Sequence, residues 1–434
     1  MASFGTDGIR GRWPDVLTPD AATRLGAALR GRYARVAVVR DTRASGAEVQ
    51  AALLAGLGDH ALICGVLPTP GLSALLATGV AEAGVAITAS HNPWQDNGLK
   101  VLGPGGRKLD PDDEAALAEA MAWAAPAGVP AFPLELADAE SRYLAAVRAV
   151  LPPGTWLDGA RIVFDGAHGA AWRVGPTLLR ALGAEVVPVG CAPDGRNINE
   201  GVGAVHPELA AVLVHEAEAD CGIVVDGDGD RVVLIDRTGD VLDGDAVLLL
   251  LAPPVGRASF PADGVVGTVM SNVALEQALA ERGLDFARAA VGDRNVAIEM
   301  AVRGWNLGGE PSGHVLLSDG LPTGDGLVTA LRVLSGGLDL AERLGGWAPA
   351  PSASVSGRVA ARPALEGLLE VELALERARS RGAARIVLRY SGTEPKLRVL
   401  VEAGTQDLAD ALAGALLGEV LAVVGVGGAD SPPG

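Results

Sequence analysis

Three aspartates that alternate with glycine are the residues of this sequence best suited to do chemistry. Asp226, Asp228 and Asp230 follow an apolar stretch in "GIVVDGDGDRVVLID". Carboxylates placed this closely repel one another unless a cation neutralises them, and a set of oxygen ligands alone suits Mg²⁺. The pattern therefore predicts a magnesium site directly after a strand.

Two other uses of these acids can be weighed from the sequence. A calcium EF-hand is excluded because its loop needs glycine at position six and glutamate at position twelve, where this chain has Arg231 and Arg237. An aspartyl-phosphate nucleophile of the haloacid-dehalogenase type stays open, since Asp228, Asp230 and Val232 have the required spacing.

A second polar stretch, "AGVAITASHNPWQDNGLK", covers residues 83–100. It places Ser90 at the carboxyl end of a predicted strand, the edge at which α/β proteins bind ligands. Pro93 ends the strand, so the turn is expected to present Ser90 outward. Ordinary turn chemistry is the alternative. A hydrolase elbow is excluded because Gly-x-Ser-x-Gly is absent around Ser90.

Two further loops carry polar groups that folding alone does not require. In "NLGGEPSGHVLL", Glu310, Ser312 and His314 alternate, so an extended backbone would project all three to one side, where they suit sugar hydroxyls. The second loop, "RYSGTEPKLRV", combines a glycine turn with basic and hydroxyl residues, which is typical of an anion-binding nest. Its candidate residues are Arg389, Ser391, Thr393, Lys396 and Arg398.

Strands that alternate with helices must position these loops. The alternation restarts twice, which indicates three similar α/β domains with mixed, mainly parallel sheets, followed by a smaller α+β domain. We place the boundaries at 1–138, 139–245, 246–350 and 351–434. Ser45 and Glu48 have the spacing of a capping box at the start of one predicted helix.

The composition limits the class of protein. The net charge is −18 without a basic stripe, which argues against nucleic-acid binding. Cys64, Cys191 and Cys221 are widely spaced, so we expect neither disulfides nor zinc and predict a cytoplasmic protein. No apolar run is long enough for a membrane span. The chain's three lysines, Lys100, Lys108 and Lys396, all lie in or beside glycine-rich loops.

Five stretches together resemble the α-D-phosphohexomutase superfamily. They are "FGTDGIRG" at 4–11, "TASHNP" at 88–93, "DGDGDR" at 226–231, "GGEPSGH" at 308–314 and "RYSGTEP" at 389–395. The first stretch, Gly392, "VGDRNV" and "TGDG" resemble the branch that acts on glucosamine phosphates. Pro311 and Tyr390 depart from the usual Gln and Pro inside two ligand loops, which puts the sugar preference in doubt.

The resemblance implies four domains around a central cleft and an intramolecular phosphotransferase. It implies that glucosamine 6-phosphate and 1-phosphate interconvert through a phosphoserine and a hexose 1,6-bisphosphate, for UDP-N-acetylglucosamine synthesis. Ser90 would be the phosphoserine and would hold Mg²⁺ with Asp226, Asp228 and Asp230. The positions matched around the reacting phosphate are Arg10, His91, Lys100 and Arg231, with Lys100 and then His91 as the acid/base. Those matched to the sugar and distal phosphate are Glu310, Ser312, Arg389, Ser391, Gly392, Thr393 and Arg398.

Three alternatives stay open at this point. The first is a phosphomannomutase/phosphoglucomutase of the same superfamily, and the second is a phosphatase with Asp228 as its nucleophile. The third is a catalytically dead sugar-phosphate sensor. The expected partners are the hexosamine phosphate and the bisphosphate, without nucleic acid or membrane, and a homodimer stays open.

Overall fold

The computed structural model describes residues 8–128, 133–253, 264–391 and 394–425. Gly392, Thr393 and the first four residues of the "FGTDGIRG" stretch therefore lie outside the described residues. The strands in chain order are β1 Ile9–Arg12, β2 Val36–Arg40, β3 Ala61–Val66, β4 Ala83–Ile87, β5 Asp96–Leu102, β6 Leu134–Glu135, β7 Arg161–Asp165, β8 Glu185–Val189, β9 Cys221–Val225, β10 Val232–Ile235, β11 Val241–Leu242, β12 Gly264–Thr268, β13 Asp285–Ala289, β14 Leu307–Gly309, β15 Val315–Leu317, β16 Ser352–Arg358, β17 Ala383–Tyr390 and β18 Lys396–Ala403.

The helices lie between these strands as the alternation predicts. They are α1 Pro19–Arg30, α2 Gly46–Leu57, α3 Thr69–Ala77, α4 Pro111–Trp123, α5 Ala139–Ala149, α6 Val174–Ala181, α7 Glu208–Glu216, α8 Gly244–Leu251, α9 Val273–Glu281, α10 Asp293–Arg303, α11 Gly326–Leu334, α12 Leu340–Leu344, α13 Leu369–Ser380 and α14 Gln406–Val424. Among the helices in the described residues, none is long and apolar enough to cross a membrane.

The first sheet has the strand order β1-β5-β4-β2-β3-β6. Strands β2, β3, β4 and β6 run parallel, while β5 is antiparallel to both β4 and β1. Its central strands are apolar, and Val36, Val38, Val85 and Ile87 pack into one core with Leu99. Such continuous apolar strands are typical of a sheet covered by helices on both faces.

The second sheet has the order β11-β10-β9-β7-β8, with β7, β8 and β9 parallel and β10 and β11 antiparallel. In the third sheet β14 pairs parallel with β12 and antiparallel with β15. Residues 226–231, here called the metal loop, join β9 to β10. Residues 310–314, here called the sugar loop, join β14 to β15. Three mixed α/β sheets confirm the predicted fold class.

By compactness the chain divides into two units. The first contains Met1–Thr268 and Ala289–Gly345, and the second contains Val269–Arg288 and Gly346–Gly434. In the second unit, β18 lies between β16 and β17 in an antiparallel sheet packed against α13 and α14. This is the small α+β arrangement expected at the carboxyl end, whereas the exact domain boundaries at 138, 245 and 350 stay predictions.

The capping box predicted at Ser45 does not form. Ser45 has a helical backbone and its side chain makes no cap to α2. Its Oγ instead accepts a hydrogen bond from Asn97 Nδ2 at 2.9 Å, and Glu48 accepts one from Trp13 Nε1 at 2.8 Å. Partners distant in sequence thus replace the local pairing, because the start of β5 and the turn after β1 contact this helix end.

Candidate active site

The structure brings Ser90 to the first of the three aspartates. Ser90 Oγ donates a hydrogen bond of 2.6 Å to Asp226 Oδ2, although 136 residues separate them in the chain. Ser90 is only 1% exposed, so the expectation that the turn presents it outward is wrong for this structure. The reason is that the loop after β9 covers the end of β4, and Ser90 faces that loop rather than solvent.

The three carboxylates form a compact, buried cluster. Asp226, Asp228 and Asp230 each offer an oxygen within 4.8 Å of the others. Asp228 Oδ1 is buried and accepts no hydrogen bond from the residues that the structure describes, and the same holds for Asp230 Oδ1. Buried carboxylate oxygens without donors are costly unless a cation meets them. The residues present therefore fit an oxygen-coordinated metal ion.

Lys100 pairs with two of these acids. It lies on β5, and its Nζ donates to Asp228 Oδ2 at 2.6 Å and to Asp230 Oδ2 at 3.0 Å. Thr69, at the start of α3, donates from its hydroxyl to the same Asp228 oxygen at 2.6 Å. Sequence reasoning missed Thr69, although its position directly after β3 is the kind of strand end at which ligand loops lie.

Burial and these neighbours move the pKa values of the acids apart. Burial, with the Asp230 and Asp228 charges, raises the pKa of Asp226 to about 8. Burial acts to raise the pKa of Asp228 too, but the Lys100 ammonium and the Thr69 hydroxyl hold it below its ordinary value. Lys100 and His314 likewise hold the pKa of Asp230 well below its usual range against burial. Asp226 is therefore the acid that holds a proton when no cation is bound.

Three other predicted residues surround the cluster. Burial, followed by the charges of Arg231 and Arg10, lowers the pKa of His91, so this imidazole is neutral near pH 7. The backbone N–H of Arg231 donates to Asp226 Oδ1 at 3.3 Å, and its Nε lies 3.9 Å from Asp230 Oδ1. Cationic groups and a neutral imidazole beside a serine hydroxyl suit an anionic phosphoryl group.

The sugar loop differs from the extended segment that its alternation predicts. Residues 310–314 form a tight turn, closed by a hydrogen bond of 3.0 Å from Gly313 N to Glu310 O. Ser312 is exposed, whereas His314 is 5% exposed and points to the metal loop. The expectation that the three side chains share one side is therefore wrong, because the turn at Gly313 reverses the chain.

The start of α10, with the glycine just before it, holds both ends of this turn. Gly292 N donates to Glu310 Oε1 at 2.9 Å, and Asp293 Oδ2 lies 3.3 Å from His314 Nε2. On its other ring edge, His314 Nδ1 lies 3.7 Å from Asp230 Oδ1. Burial opposes protonation of His314, but the nearby carboxylates of Asp230 and Asp293 raise its pKa to about 10. This imidazole is therefore charged near pH 7.

Asp293 also pairs with Lys108, which lies between β5 and α4. Lys108 Nζ lies 2.7 Å from Asp293 Oδ2, and the neighbouring Arg294 pairs with Glu114 at the start of α4. The sequence analysis noted "VGDRNV" and Lys108 separately but did not pair them. The sequence offers no signal for such a contact, since the two charged residues are 185 positions apart in the chain.

The predicted anion loop lies in the second unit. Arg389 and Arg398 stand directly opposite each other on β17 and β18, which places like charges side by side. Burial, followed by the Arg398 charge, lowers the pKa of Arg389. Ser391 is buried at the strand end, and Glu394 accepts hydrogen bonds from both Lys396 and Arg398. Two adjacent guanidinium groups are suited to bind an anion.

The comparisons with known proteins give the class. Family models named phosphoglucomutase/phosphomannomutase match along the chain, with alpha/beta/alpha domain I at residues 1–125, domain II at 141–239, domain III at 243–339 and the C-terminal domain at 357–418. The protein belongs to this phosphohexomutase family and is an intramolecular phosphotransferase. The family predicted from the five stretches is confirmed.

Individual relatives within this family include two curated phosphoglucosamine mutases. A phosphoglucosamine mutase of Paracoccus denitrificans is 41% identical over 425 residues, covering 92% of this chain and 94% of the relative. One of Rhodospirillum rubrum is 42% identical over 448 residues, covering 97% and 98%. The N-acetylphosphoglucosamine mutase of Aspergillus fumigatus, solved in complex with GlcNAc-6P and magnesium, has a TM-score of 0.68 at 18% identity, covering 98% and 96%. That last likeness concerns the fold alone.

Proposed function

We propose that the protein is a phosphoglucosamine mutase, which interconverts glucosamine 6-phosphate and glucosamine 1-phosphate and so supplies UDP-N-acetylglucosamine synthesis. One observation carries the proposal. Ser90 Oγ contacts Asp226 at 2.6 Å within a cluster of acids, which is the arrangement that a phosphoserine beside a metal ion requires. The two bacterial relatives named above, similar over more than nine-tenths of this chain, support the choice of substrate.

The proposed reaction has two matched halves. A sugar hydroxyl attacks the phosphorus of phosphorylated Ser90, a new P–O bond to the sugar forms, and the P–Oγ bond breaks. The sugar hydroxyl gives up its proton to a base, and Oγ receives a proton. The 1,6-bisphosphate then reverses in the site, and Ser90 Oγ takes the phosphoryl group from the other end.

We propose Mg²⁺ as the metal and Ser90, Asp226, Asp228 and Asp230 as its ligands. Oxygen ligands favour a hard cation, and the Oδ1 atoms of Asp228 and Asp230, which accept no hydrogen bond from the described residues, are available to it. When bound, Mg²⁺ supplies charge that offsets the transferring phosphoryl oxygens. Arg10 and Arg231 add positive charge at the same place.

His91 and Lys100 are the proposed acid/base groups. Neutral His91 can accept a proton, because its pKa is lowered by burial and by Arg231 and Arg10. Lys100 donates to Asp228 and Asp230, so in this arrangement it can give up a proton but cannot take one. Glu310, Ser312 and His314 are proposed at the sugar, and the second unit's loop, with Arg389, Ser391, Gly392, Thr393 and Arg398, at the distal phosphate.

Turnover of three substrates tests the proposal. Purified protein is assayed with glucosamine, glucose and mannose 6-phosphates in the presence of Mg²⁺ and the matching 1,6-bisphosphate. The highest kcat/KM is expected for glucosamine 6-phosphate. Faster turnover of glucose or mannose 6-phosphate would assign the protein to the sibling branch of the family.

The phosphorylated residue separates the mutase from the phosphatase alternative. Phosphoserine survives acid and neutral hydroxylamine, whereas an aspartyl phosphate at Asp228 does not. We expect mass spectrometry to locate the phosphoryl group on the Ser90 peptide and Ser90→Ala to abolish both labelling and turnover. A hydroxylamine-labile phosphoenzyme would contradict the proposal. A homodimer and a cytoplasmic location stay predictions.

A further inference from the structure

The backbone conformation of Ser90 is the starting point. Ser90 has φ of +53°, the left-handed region that residues other than glycine seldom occupy. Such a conformation is strained and persists only where surrounding groups fix it. Its side chain makes one hydrogen bond, to Asp226, so the groups that fix the conformation must hold the backbone.

Two side chains grip the Ser90 carbonyl from different sheets. Arg43 Nη2 donates to the carbonyl oxygens of both Ser90 and Asn92, each at 2.8 Å. Asn199 Nδ2, from the loop after β8, donates to the same two oxygens at 2.9 and 3.1 Å. Both carbonyls can only accept, so the amide orientation of Asn199 follows from the contact itself.

Arg43 is fully committed to this loop. Its side chain is 0% exposed, and Nη1 donates to the carbonyls of Pro93 and Asp96, the latter at 3.0 Å. Nε donates to Asp41 Oδ2 at 2.8 Å, so all five guanidinium N–H donors are used. Lysine carries the same charge but has three donors on one nitrogen and cannot reproduce this fork.

We propose that Arg43 and Asn199 are positioning residues for the phosphoryl carrier. This inference rests on the proposed function, in which Ser90 donates a phosphoryl group and later recovers one at the same place. Arg43 and Asn199, here called the clamp, bind backbone carbonyl groups and do not contact Ser90 Oγ. The clamp can therefore hold Ser90 in the same position with and without phosphate. The metal loop also approaches this carbonyl closely. A side chain at Gly227 would collide with it, because a Cβ there would lie 2.5 Å from the Ser90 carbonyl oxygen.

The test compares Asn199→Gly, Asn199→Asp and Arg43→Lys with Asn197→Asp, a matched change in the same loop. Asn199 has φ of +59°, which Gly and Asp tolerate, so both variants keep the backbone while removing the two donors. Full-length protein is phosphorylated with hexosamine 1,6-bisphosphate and mixed with glucosamine 6-phosphate and Mg²⁺. Steady-state kcat and KM and the single-turnover loss of phosphoserine are measured.

Misplacing Oγ is expected to lower kcat and the single-turnover rate by about 100-fold in all three variants. KM should stay within about twofold, because no substrate contact is removed. Asn197→Asp should keep the wild-type values. If the Asn199 variants turn over within about twofold of a wild-type enzyme that is itself active, or if only KM rises, the clamp has no positioning role.

Failure of the proposed function and failure of the clamp give different results. A wild-type protein that turns over no hexose phosphate refutes the proposed function, whereas active Asn199 variants beside an active wild type refute the clamp alone. If Arg43→Lys does not fold, the two Asn199 variants still decide the matter. A purely structural role would lower the melting temperature but leave the single-turnover rate of the folded fraction unchanged.

Discussion

Lys100 donates to Asp228 at 2.6 Å and thereby places an ammonium group against the acids proposed to hold the metal. The same ammonium reaches Asp230 at 3.0 Å. Lys100 and the proposed metal would thus share two carboxylates, each of which has a second oxygen without a hydrogen bond from the described part of the chain. We therefore expect metal affinity to depend on the charge of Lys100.

Replacing Lys100 tests that coupling. Lys100→Met is expected to bind Mg²⁺ at least about tenfold more tightly, because it removes a positive charge beside the ligands. Its turnover should fall about 1,000-fold, since a proton donor and a phosphate-stabilising charge are lost together. Titration calorimetry and steady-state kinetics measure the two effects. Lys108→Met is the matched control for affinity, and unchanged Mg²⁺ binding in Lys100→Met would contradict the coupling.

The raised pKa of Asp226 predicts how the stability of the metal-free protein depends on pH. Its pKa is raised from 3.8 to about 8, so its contribution to stability is fully present below pH 3.8 and is lost as the pH rises through about 8. In EDTA the melting temperature should therefore fall between about pH 4 and pH 8 and level off above that. Asp226→Asn, which cannot titrate, should lack that part of the slope. Equal slopes in the two proteins would refute the protonated Asp226.

Asp293→Asn tests the charged state of His314. The folded pKa of His314 is about 10, so the pair's stabilisation is fully present below its ordinary value of 6.5 and is lost as the pH rises through about 10. Breaking this buried pair is expected to cost about 3 kcal/mol at pH 7. Chemical denaturation measures the cost, and NMR of the imidazole should show a lower His314 pKa.

The matched control is Asp319→Asn, which breaks an exposed pair with Arg332 in the same unit. That change should cost less than about 1 kcal/mol. An equal cost for both variants, or a His314 pKa that does not move in Asp293→Asn, would exclude the proposed pairing.

Arg389 and Arg398 lie opposite each other in the second unit, and we expect the loss of one of them to weaken substrate binding. Arg398→Gln should raise KM for glucosamine 6-phosphate about 10- to 100-fold, because a charge-assisted hydrogen bond to phosphate is lost. kcat should change far less, since this loop is proposed at the phosphate that does not react. Arg377→Gln, which removes a surface pair with Glu419, is the control. A fall in kcat at constant KM would place Arg398 at the reacting phosphate instead.

Local patterns were sufficient for much of the fold and the site. Apolar strands followed by polar turns identified β4 and β9, and the regular acid spacing identified Asp226, Asp228 and Asp230 as one cluster. Strand β5 was missed because its first residues, Asp96, Asn97 and Gly98, are typical of turns. It forms because it pairs antiparallel with both β4 and β1.

Contacts over long separations could not be predicted from sequence. The Lys108–Asp293 pair and the Arg43 clamp depend on where distant loops meet, and a single sequence contains no pattern for that. The same limit explains Ser45 and the sugar loop. Their local motifs were recognised correctly as motifs, but tertiary contacts and a turn at Gly313 changed what the residues do.

The start of α10, Gly292 and Asp293, has a consequence for engineering substrate choice. Gly292 fixes Glu310 and Asp293 fixes His314, so neighbouring residues orient one group proposed at the sugar and one at the metal loop. A library that varies only residues 310–314 would leave the supports of those side chains in their original geometry. Altering the accepted sugar without losing phosphoryl transfer therefore requires joint variation of both segments.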